Sequence, residues 1–133
     1  MQVIVCCDNR MGMLFNHRRQ SQDRVLRDYL RELTGERGLR MNAYSQKQFG
    51  ESPEILVSED FLSTAGKEDV CFVEDQPLSP FADQIDSLIL CRWNRDYPGD
   101  FFLDLDLSTW KLTDTREFPG SSHEKITVEV YEK

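Results

Sequence analysis

The 133-residue sequence has few histidines and no long apolar run. Its two histidines, His17 and His123, are too few for the histidine-rich zinc clusters of metal-dependent nucleases and lactamases, so we expect no metal. No apolar run approaches the roughly 20 residues that cross a bilayer. The opening MQVIVCC also enters a strand directly, without the successive zones of a signal peptide. We therefore expect a cytoplasmic protein that does not engage a membrane.

Basic residues are also in deficit. The chain carries 16 Lys and Arg against 24 Asp and Glu, for a net charge of −8 and a pI near 4.7. A surface of this sign repels phosphate backbones and anionic lipid headgroups. We expect no nucleic-acid partner.

Cysteines are present but lack the spacing of a metal or redox motif. Cys6 and Cys7 are adjacent, Cys71 and Cys91 each lie in an apolar run, and no C-x-x-C pair occurs. Buried cysteines commonly pack as small hydrophobic residues. We expect four free thiols.

The hydrophobic pattern predicts an α/β fold. VIVCC at 3–7 is typical of a strand buried on both faces, and further strands are predicted at 39–42, 54–58, 69–73 and 87–93. A helix is predicted after Ser21, which we expect to cap it with Asp23 in the first turn, and Gly35 ends it. Helical segments between strands imply a mostly parallel sheet flanked by helices. The alternating segments 110–118 and 125–133 predict an antiparallel C-terminal hairpin, and the length favours one domain over residues 1–133.

Several segments, taken in order, resemble dihydrofolate reductase. VIVCCDNRMGMLFN is similar to that family's first strand and glycine-containing active-site loop, and LRMNAYSQKQFG to its segment with Met-Gly-Arg-x-Thr before a short helix. EILVS, VCFVEDQPLSPFADQIDSLILCRW and YPGDFFLDLDLSTWKL follow in the family's order. The resemblance implies a dihydrofolate reductase-like fold, and in the family an NADPH-dependent reductase of folate.

The residues that the family uses for NADPH differ here. The Gly-Gly turn, which lets the cofactor pyrophosphate approach backbone N–H groups, is replaced by Glu74, Asp75 and Gln76. The family's phosphate-pairing Arg falls on Ala43 and its Gly on Asn42. Only Ser45 keeps a hydroxyl where the family has Thr, and a helix cap would explain that serine without a ligand. We expect no cofactor.

The folate side differs as well. Ser21 stands where the family has a Trp, the Arg that clamps the folate carboxylate falls on Ser52, and the Thr that orients the pterin falls on Cys91. Asp23 is the candidate for the family's essential catalytic carboxylate, and its alternative role is that of an ordinary first-turn acid. Asp8, after the first strand, is a second candidate acid or a turn residue.

A ligand crevice is expected beyond the carboxyl ends of the strands, where open α/β sheets bind ligands. Its predicted lining is Cys6, Cys7, Asp8, Met13, Asn42, Ser45, Glu74, Asp75 and Cys91. Carboxylates in this lining favour a cationic or hydrogen-bond-donating ligand.

Three classes of function follow. The first is a degenerate reductase-like domain that binds another small ligand or a protein partner. The second is an NADPH-dependent reductase of a pterin-like or other small substrate with an atypical cofactor site, in which Arg18 and Arg19 meet the phosphates. The third is an interaction protein. The interval from Ser58 to Val70 is too short for the family's extra strand and helix, so EILVS is predicted to be a sheet edge through which a homodimer could form.

Overall fold

The computed structural model describes residues 1–133, and its main sheet is built around the first strand, β1. Seven strands lie in the order β5-β4-β6-β1-β7-β10-β9. Their bounds are β1 Gln2–Cys7, β4 Leu39–Met41, β5 Ile55–Val57, β6 Val70–Phe72, β7 Ser87–Arg92, β9 Lys111–Phe118 and β10 Ile126–Glu132. The five strands from β5 to β7 are parallel, and β10 and β9 add an antiparallel hairpin. The predicted mostly parallel sheet with a C-terminal hairpin is confirmed.

Both faces of the central strand are covered, which explains its continuous apolar run. Ile4 belongs to a buried cluster with Leu26, Leu30 and Phe49 from the helices. Val3 and Val5 point to the opposite face, into a second buried cluster that includes Met1, Phe61, Leu62, Leu78 and Ile85. Alternate residues of a strand point to opposite faces, so a strand buried on both sides has no polar positions.

The first helix, α1 (Arg24–Thr34), begins two residues later than predicted. Asp23, not Ser21, is the N-cap residue, and its carboxylate accepts hydrogen bonds from the backbone N–H groups of Val25 and Leu26. The prediction that Ser21 caps the helix was therefore wrong. Aspartate and serine cap equally well, so the sequence alone could not choose between them.

The second helix, α2 (Ala43–Phe49), also uses another cap. Asn42 is its N-cap and accepts from the Ser45 backbone N–H, whereas Ser45 is the third residue of the helix and is buried. The interpretation of Ser45 as a helix cap is wrong, which frees its hydroxyl for another partner. Short 3₁₀ helices at Gly35–Arg37 and Ser79–Gln84 complete the helical structure.

A second, three-stranded antiparallel sheet was not predicted. It consists of β2 (Gly12–Phe15), β3 (Arg18–Arg19) and β8 (Phe101–Phe102), in the order β3-β2-β8. Asn16 and His17 form the turn between β2 and β3 with positive φ angles of 51° and 62°. This turn directs Arg19 back toward the main sheet.

Strands β5 and β9 form the two edges of the main sheet. The prediction that the EILVS segment is an edge is confirmed. Leu56 and Val57 of β5 are 40% and 39% exposed. No helix of the structure is both long and apolar enough to cross a membrane.

Candidate functional site

The candidate site lies where parallel strands β4 and β6 end. Asn42 follows β4 directly, and Glu74 and Asp75 follow β6 after one more buried residue. Because parallel strands end at the same edge of a sheet, these three side chains meet beside the start of α2. The structure therefore brings together four of the predicted crevice residues, Asn42, Ser45, Glu74 and Asp75.

Glu74 is the centre of this group, and its carboxylate is fully engaged. Arg19 donates to both oxygens, with Nε 2.8 Å from Oε2 and Nη2 3.1 Å from Oε1. Ser45 Oγ donates to Oε1 at 2.8 Å, and Gln48 Nε2 donates to Oε2 at 3.2 Å. Glu74 is only 7% exposed, so these donors replace its water.

Arg19 is held as firmly as its partner. Its guanidinium donates to the Tyr44 carbonyl at 3.1 Å and lies 4.5 Å from the centre of the Tyr44 ring. Its backbone N–H donates to the Tyr44 hydroxyl at 2.8 Å. Burial opposes its charge, but the hydrogen bond and the negative charge of Glu74 prevail and raise the pKa of Arg19. Arg19 therefore forms a permanent cationic bridge from the small sheet to the end of β6.

Two further acids lie at the start of α2. Asn42 Nδ2 donates to Asp75 Oδ1 at 2.8 Å, and the Ala43 backbone N–H donates to Glu59 Oε2 at 2.9 Å. An N-terminal N–H group and the helix dipole attract anions. Here the chain itself supplies the anion.

A cavity of about 490 Å³ opens beside this group, between the two sheets. It is lined by Leu14, His17, Asp75, Asp100 and Phe101. Asp100 accepts from the Asn16 backbone N–H at 3.1 Å, and Asp75 accepts from Asn42. The cavity thus presents two carboxylates and two apolar side chains.

The cysteines predicted in the crevice divide between the two faces of the sheet. Cys6 and Cys91 are aligned on neighbouring strands and contribute to the same cluster, whereas Cys7 lies in the opposite one. The hydrogen bond that the Cys6 thiol donates to Cys91, together with burial, raises the pKa of Cys6, and burial raises the pKa of Cys7 to about 12. All four cysteines are free, and these shifts keep Cys6 and Cys7 as neutral thiols.

Two other predicted crevice residues have structural partners. Met13 is buried in the second cluster. Asp8 is buried and accepts from the backbone N–H groups of Arg10, Gly12 and Tyr97, as a turn residue does.

Asp23 belongs to a separate group at the start of α1. Besides capping the helix, it accepts from the backbone N–H groups of Ser121 and Ser122 at 3.0 and 2.9 Å and from His123 Nδ1 at 2.8 Å. Burial alone would raise its pKa, but these hydrogen bonds, led by that from His123, hold the pKa of Asp23 well below its usual range. Its carboxylate is charged and has no exposed oxygen to offer a ligand.

The order of the strands, the position of the small sheet and the site at the carboxyl ends together define the α/β fold of dihydrofolate reductase. No protein-family model and no curated protein sequence matches the chain. Among solved structures, the chain is similar to dihydrofolate reductase from Enterococcus faecalis complexed with NADP(H) and RAB-propyl. The TM-score is 0.71 at 16% identity, with 98% of this chain and 94% of that chain covered. The predicted dihydrofolate reductase-like fold is confirmed.

Sequence reasoning missed the donors around Glu74 and the partner of Asp23. The sequence suggests Arg19 only as a possible partner of a cofactor phosphate, and no motif in it marks Gln48 or His123 as a site residue. His123 lies 100 positions from Asp23, and no local motif links the two. No group of three His, Cys, Asp or Glu side chains is arranged to hold a metal ion.

Proposed function

We propose that this chain is a dihydrofolate reductase-like domain that works without the NADPH and folate pair and binds a small cationic ligand at the carboxyl end of its sheet. The observation that carries the proposal is the buried carboxylate of Glu74, held by Arg19, Ser45 and Gln48. By its resemblance to dihydrofolate reductase, Glu74 falls on the turn at which that family has Gly-Gly against the cofactor pyrophosphate.

An anionic cofactor does not fit this arrangement. A phosphate beside Glu74 and Asp75 would face two carboxylates, and like charges at short range repel by more than 1 kcal/mol per pair once water is partly excluded. Arg19, the cation that could offset this repulsion, already donates from Nε and Nη2 to Glu74 and from Nη2 to the Tyr44 carbonyl. The residues present therefore favour loss of the cofactor determinants.

The folate side gives the same indication. Asp23, the candidate for the essential carboxylate, is saturated by its cap and turn hydrogen bonds. Its low pKa also makes it a poor proton donor near neutral pH. Cys91, at the position of the pterin-orienting Thr, is buried.

The cavity of about 490 Å³ supports the charge of the proposed ligand. Asp75 and Asp100 supply acceptors, while Leu14 and Phe101 supply apolar contact. A small molecule with an ammonium or amidinium group beside an apolar body is complementary to this lining. His17 on the same wall is a further hydrogen-bonding group.

Ligand titrations test the proposal. Calorimetry and amide NMR would compare NADPH, phenethylamine and 3-phenylpropionate, the last two being of similar size and opposite charge. We expect only phenethylamine to saturate, with amide shifts around Asp75 and Asp100. An exposed-surface ion pair contributes up to about 1 kcal/mol, so Asp75→Asn should weaken binding by about fivefold. The matched control is Asp83→Asn on the exposed 3₁₀ helix. Preferential binding of 3-phenylpropionate would overturn the proposed charge of the ligand.

The reductase alternative is retained because the similar structure from Enterococcus faecalis contains NADP(H). In this alternative NADPH binds in an atypical manner and Arg18, which is exposed, meets a phosphate. Saturable quenching of Trp93 and Trp110 by micromolar NADPH, abolished by Arg18→Ala, would favour it over the cationic ligand.

A second copy of the chain is the proposed protein partner, and edge strand β5 is the observation that favours it. Its Ile55, Leu56 and Val57 carry no charge, whereas the other edge, β9, is protected by Lys111, Asp114, Arg116 and Glu117. Three residues can form only a small interface, so we expect a weak dimer. Sedimentation from micromolar to millimolar concentration should show it, and Val57→Lys should abolish it.

A further inference from the structure

A serine hydroxyl, an imidazole and a carboxylate form one hydrogen-bonded chain beside the start of α1. Ser21 Oγ lies 2.9 Å from His123 Nε2, and His123 Nδ1 lies 2.8 Å from Asp23 Oδ2. These three residues come from the segment before α1 and from the turn between β9 and β10. Their connectivity is that of a serine nucleophile, its general base and the acid that orients the base.

The environment fixes which nitrogen of His123 carries the proton. An ionised carboxylate only accepts hydrogen bonds, so Nδ1 is the donor to Asp23 and Nε2 is left with a lone pair. That lone pair faces Ser21 Oγ at 2.9 Å, with the Tyr97 hydroxyl at 3.2 Å. The Trp93 ring stacks on the imidazole with centroids 4.5 Å apart and an angle of 21° between the planes, which keeps the ring in this orientation.

The carboxylate of Asp23, which holds His123, is itself fixed in position by further hydrogen bonds. Its other acceptor sites receive the backbone N–H groups of Val25, Ser121 and Ser122. Gly120 makes this packing possible, since a Cβ atom there would collide with Asp23 Oδ2. The carboxylate therefore acts as a positioning group for His123.

Ser21, unlike its two partners, is partly exposed, and its neighbours in sequence and space line a cavity of about 340 Å³, although Ser21 itself is not part of the lining. The neighbouring Gln20 and Tyr97 line that cavity, and Phe15 and Pro98 supply its apolar walls. The Tyr97 hydroxyl lies 3.5 Å from Ser21 Oγ, so a carbonyl carbon bonded to Oγ would place its oxygen within reach of a phenolic donor.

We propose that Ser21 is a nucleophile activated by His123 and Asp23, and that it cleaves small carboxylic esters whose acyl group fits the adjoining cavity. This activity is independent of the cationic ligand proposed above.

The reaction consists of two balanced transfers. In the first, the Ser21 proton passes to His123 Nε2 as Oγ bonds to the carbonyl carbon, and the proton then passes to the departing alcohol as the carbon–oxygen bond breaks. In the second, water bonds to the acyl carbon as its proton passes to Nε2; the bond between the acyl carbon and Oγ then breaks, that proton returns to Oγ, and the carboxylic acid leaves. Tyr97 donates to the oxyanion in both steps.

Covalent labelling tests the proposal directly. The native protein would be treated with an alkyl fluorophosphonate, which serine nucleophiles displace with loss of fluoride, and the modified residue located by peptide mass spectrometry. We expect labelling at Ser21 and a burst of 4-nitrophenol from 4-nitrophenyl acetate. His123→Asn, which keeps a donor for Asp23 and removes the base, should slow labelling at least 100-fold, since general-base assistance contributes about 10²–10⁴-fold. Ser63→Ala, at an exposed serine outside the group, should label like the native chain.

Ser21→Cys provides a second test, because it does not depend on a substrate that fits. A thiol at this position should react with iodoacetamide at neutral pH far faster than the native cysteines, and His123→Asn in the same background should remove the advantage. The alternative is that the three residues only connect the hairpin turn to α1. In that case Ser21→Ala would lower stability, but Ser21 would not react with the fluorophosphonate faster than an exposed serine, and the thiol of Ser21→Cys would not react with iodoacetamide faster than an exposed cysteine. That result would overturn the proposal.

Discussion

Replacing Glu74 by alanine should leave a small vacancy at the end of β6, surrounded by the hydrogen-bond donors that now bind the carboxylate. The carboxylate is 7% exposed and receives hydrogen bonds from Arg19, Ser45 and Gln48. Removing one partner of a buried ion pair costs about 3–5 kcal/mol, because the other charge is left uncompensated. Arg19 retains 19% side-chain exposure and can recover some water, so we expect about 3 kcal/mol from Glu74→Ala.

The vacancy should then accept an inorganic anion. A ligand that binds only the folded state stabilises it by about 2.7 kcal/mol at 100 times its Kd. We therefore expect millimolar pyrophosphate to raise the free energy of unfolding of Glu74→Ala, while sodium chloride at equal ionic strength raises it little. The native chain should gain nothing, since its own carboxylate occupies the place.

Urea unfolding followed by the fluorescence of Trp93, which is 3% exposed, provides the assay. Glu68→Ala is the matched control, because Glu68 is exposed and forms no ion pair. A loss below about 1 kcal/mol, or an equal response of the native chain to pyrophosphate, would refute the view that Glu74 replaces a bound anion.

Three further outcomes are expected. Asp23→Asn should lower the free energy of unfolding by about 3 kcal/mol at pH 7. Because the folded-state pKa of Asp23 is depressed, its contribution to the free energy of unfolding is complete above the unfolded carboxyl pKa of about 4 and is lost as pH falls toward the folded pKa. The free energy of unfolding should therefore fall more steeply with decreasing pH for the native chain than for Asp23→Asn. Gly120→Ala should lower the free energy of unfolding, measured in urea, by about 1–3 kcal/mol, since its Cβ would collide with Asp23 and lie 2.8 Å from Ile126 Cδ1. Gly66→Ala is the control and should cost less, because the nearest atom to its Cβ would be 3.3 Å away. The four native thiols should resist Ellman's reagent at pH 8, because Cys7 has its pKa raised to about 12 and the other cysteines are buried or have raised pKa values. All four should react once guanidinium unfolds the chain.

The sequence predicts elements whose signal is local and long. The apolar run at 3–7, the periodic face of α1 and the alternating hairpin each carry enough residues to reveal their type, and all three are present. The strands of the small sheet have only two to four residues, and β8 pairs with β2 across a long separation in sequence, so no hydrophobic pattern predicts them. The helix boundaries were wrong at Ser21 and Ser45 for a related reason: several residues near each start are good caps, and tertiary contacts decide which is used.

The candidate site was predicted in outline only. Strand order places Asn42, Glu74 and Asp75 at one edge, and the rule that ligands bind beyond the carboxyl ends of strands was sufficient to group them. Arg19 joins them only because the turn at Asn16 and His17 reverses the chain, and positive φ angles at two non-glycine residues leave little trace in a sequence. Likewise, the meeting of Ser21 with His123 depends on where the hairpin turn packs.

The central position of β1 also governs how the chain must fold. Gln2 aligns with Val70 on one side and with Ser87 on the other, so this apolar strand has no neighbour until more than half of the polypeptide has been made. Pairings between residues so distant in sequence form slowly, and an unpaired apolar strand is prone to aggregate before its neighbouring strands pair with it. Removal of the residues from β7 onward should therefore yield an insoluble chain rather than a weakened fold, and solubility during synthesis should depend on how quickly β7 reaches β1.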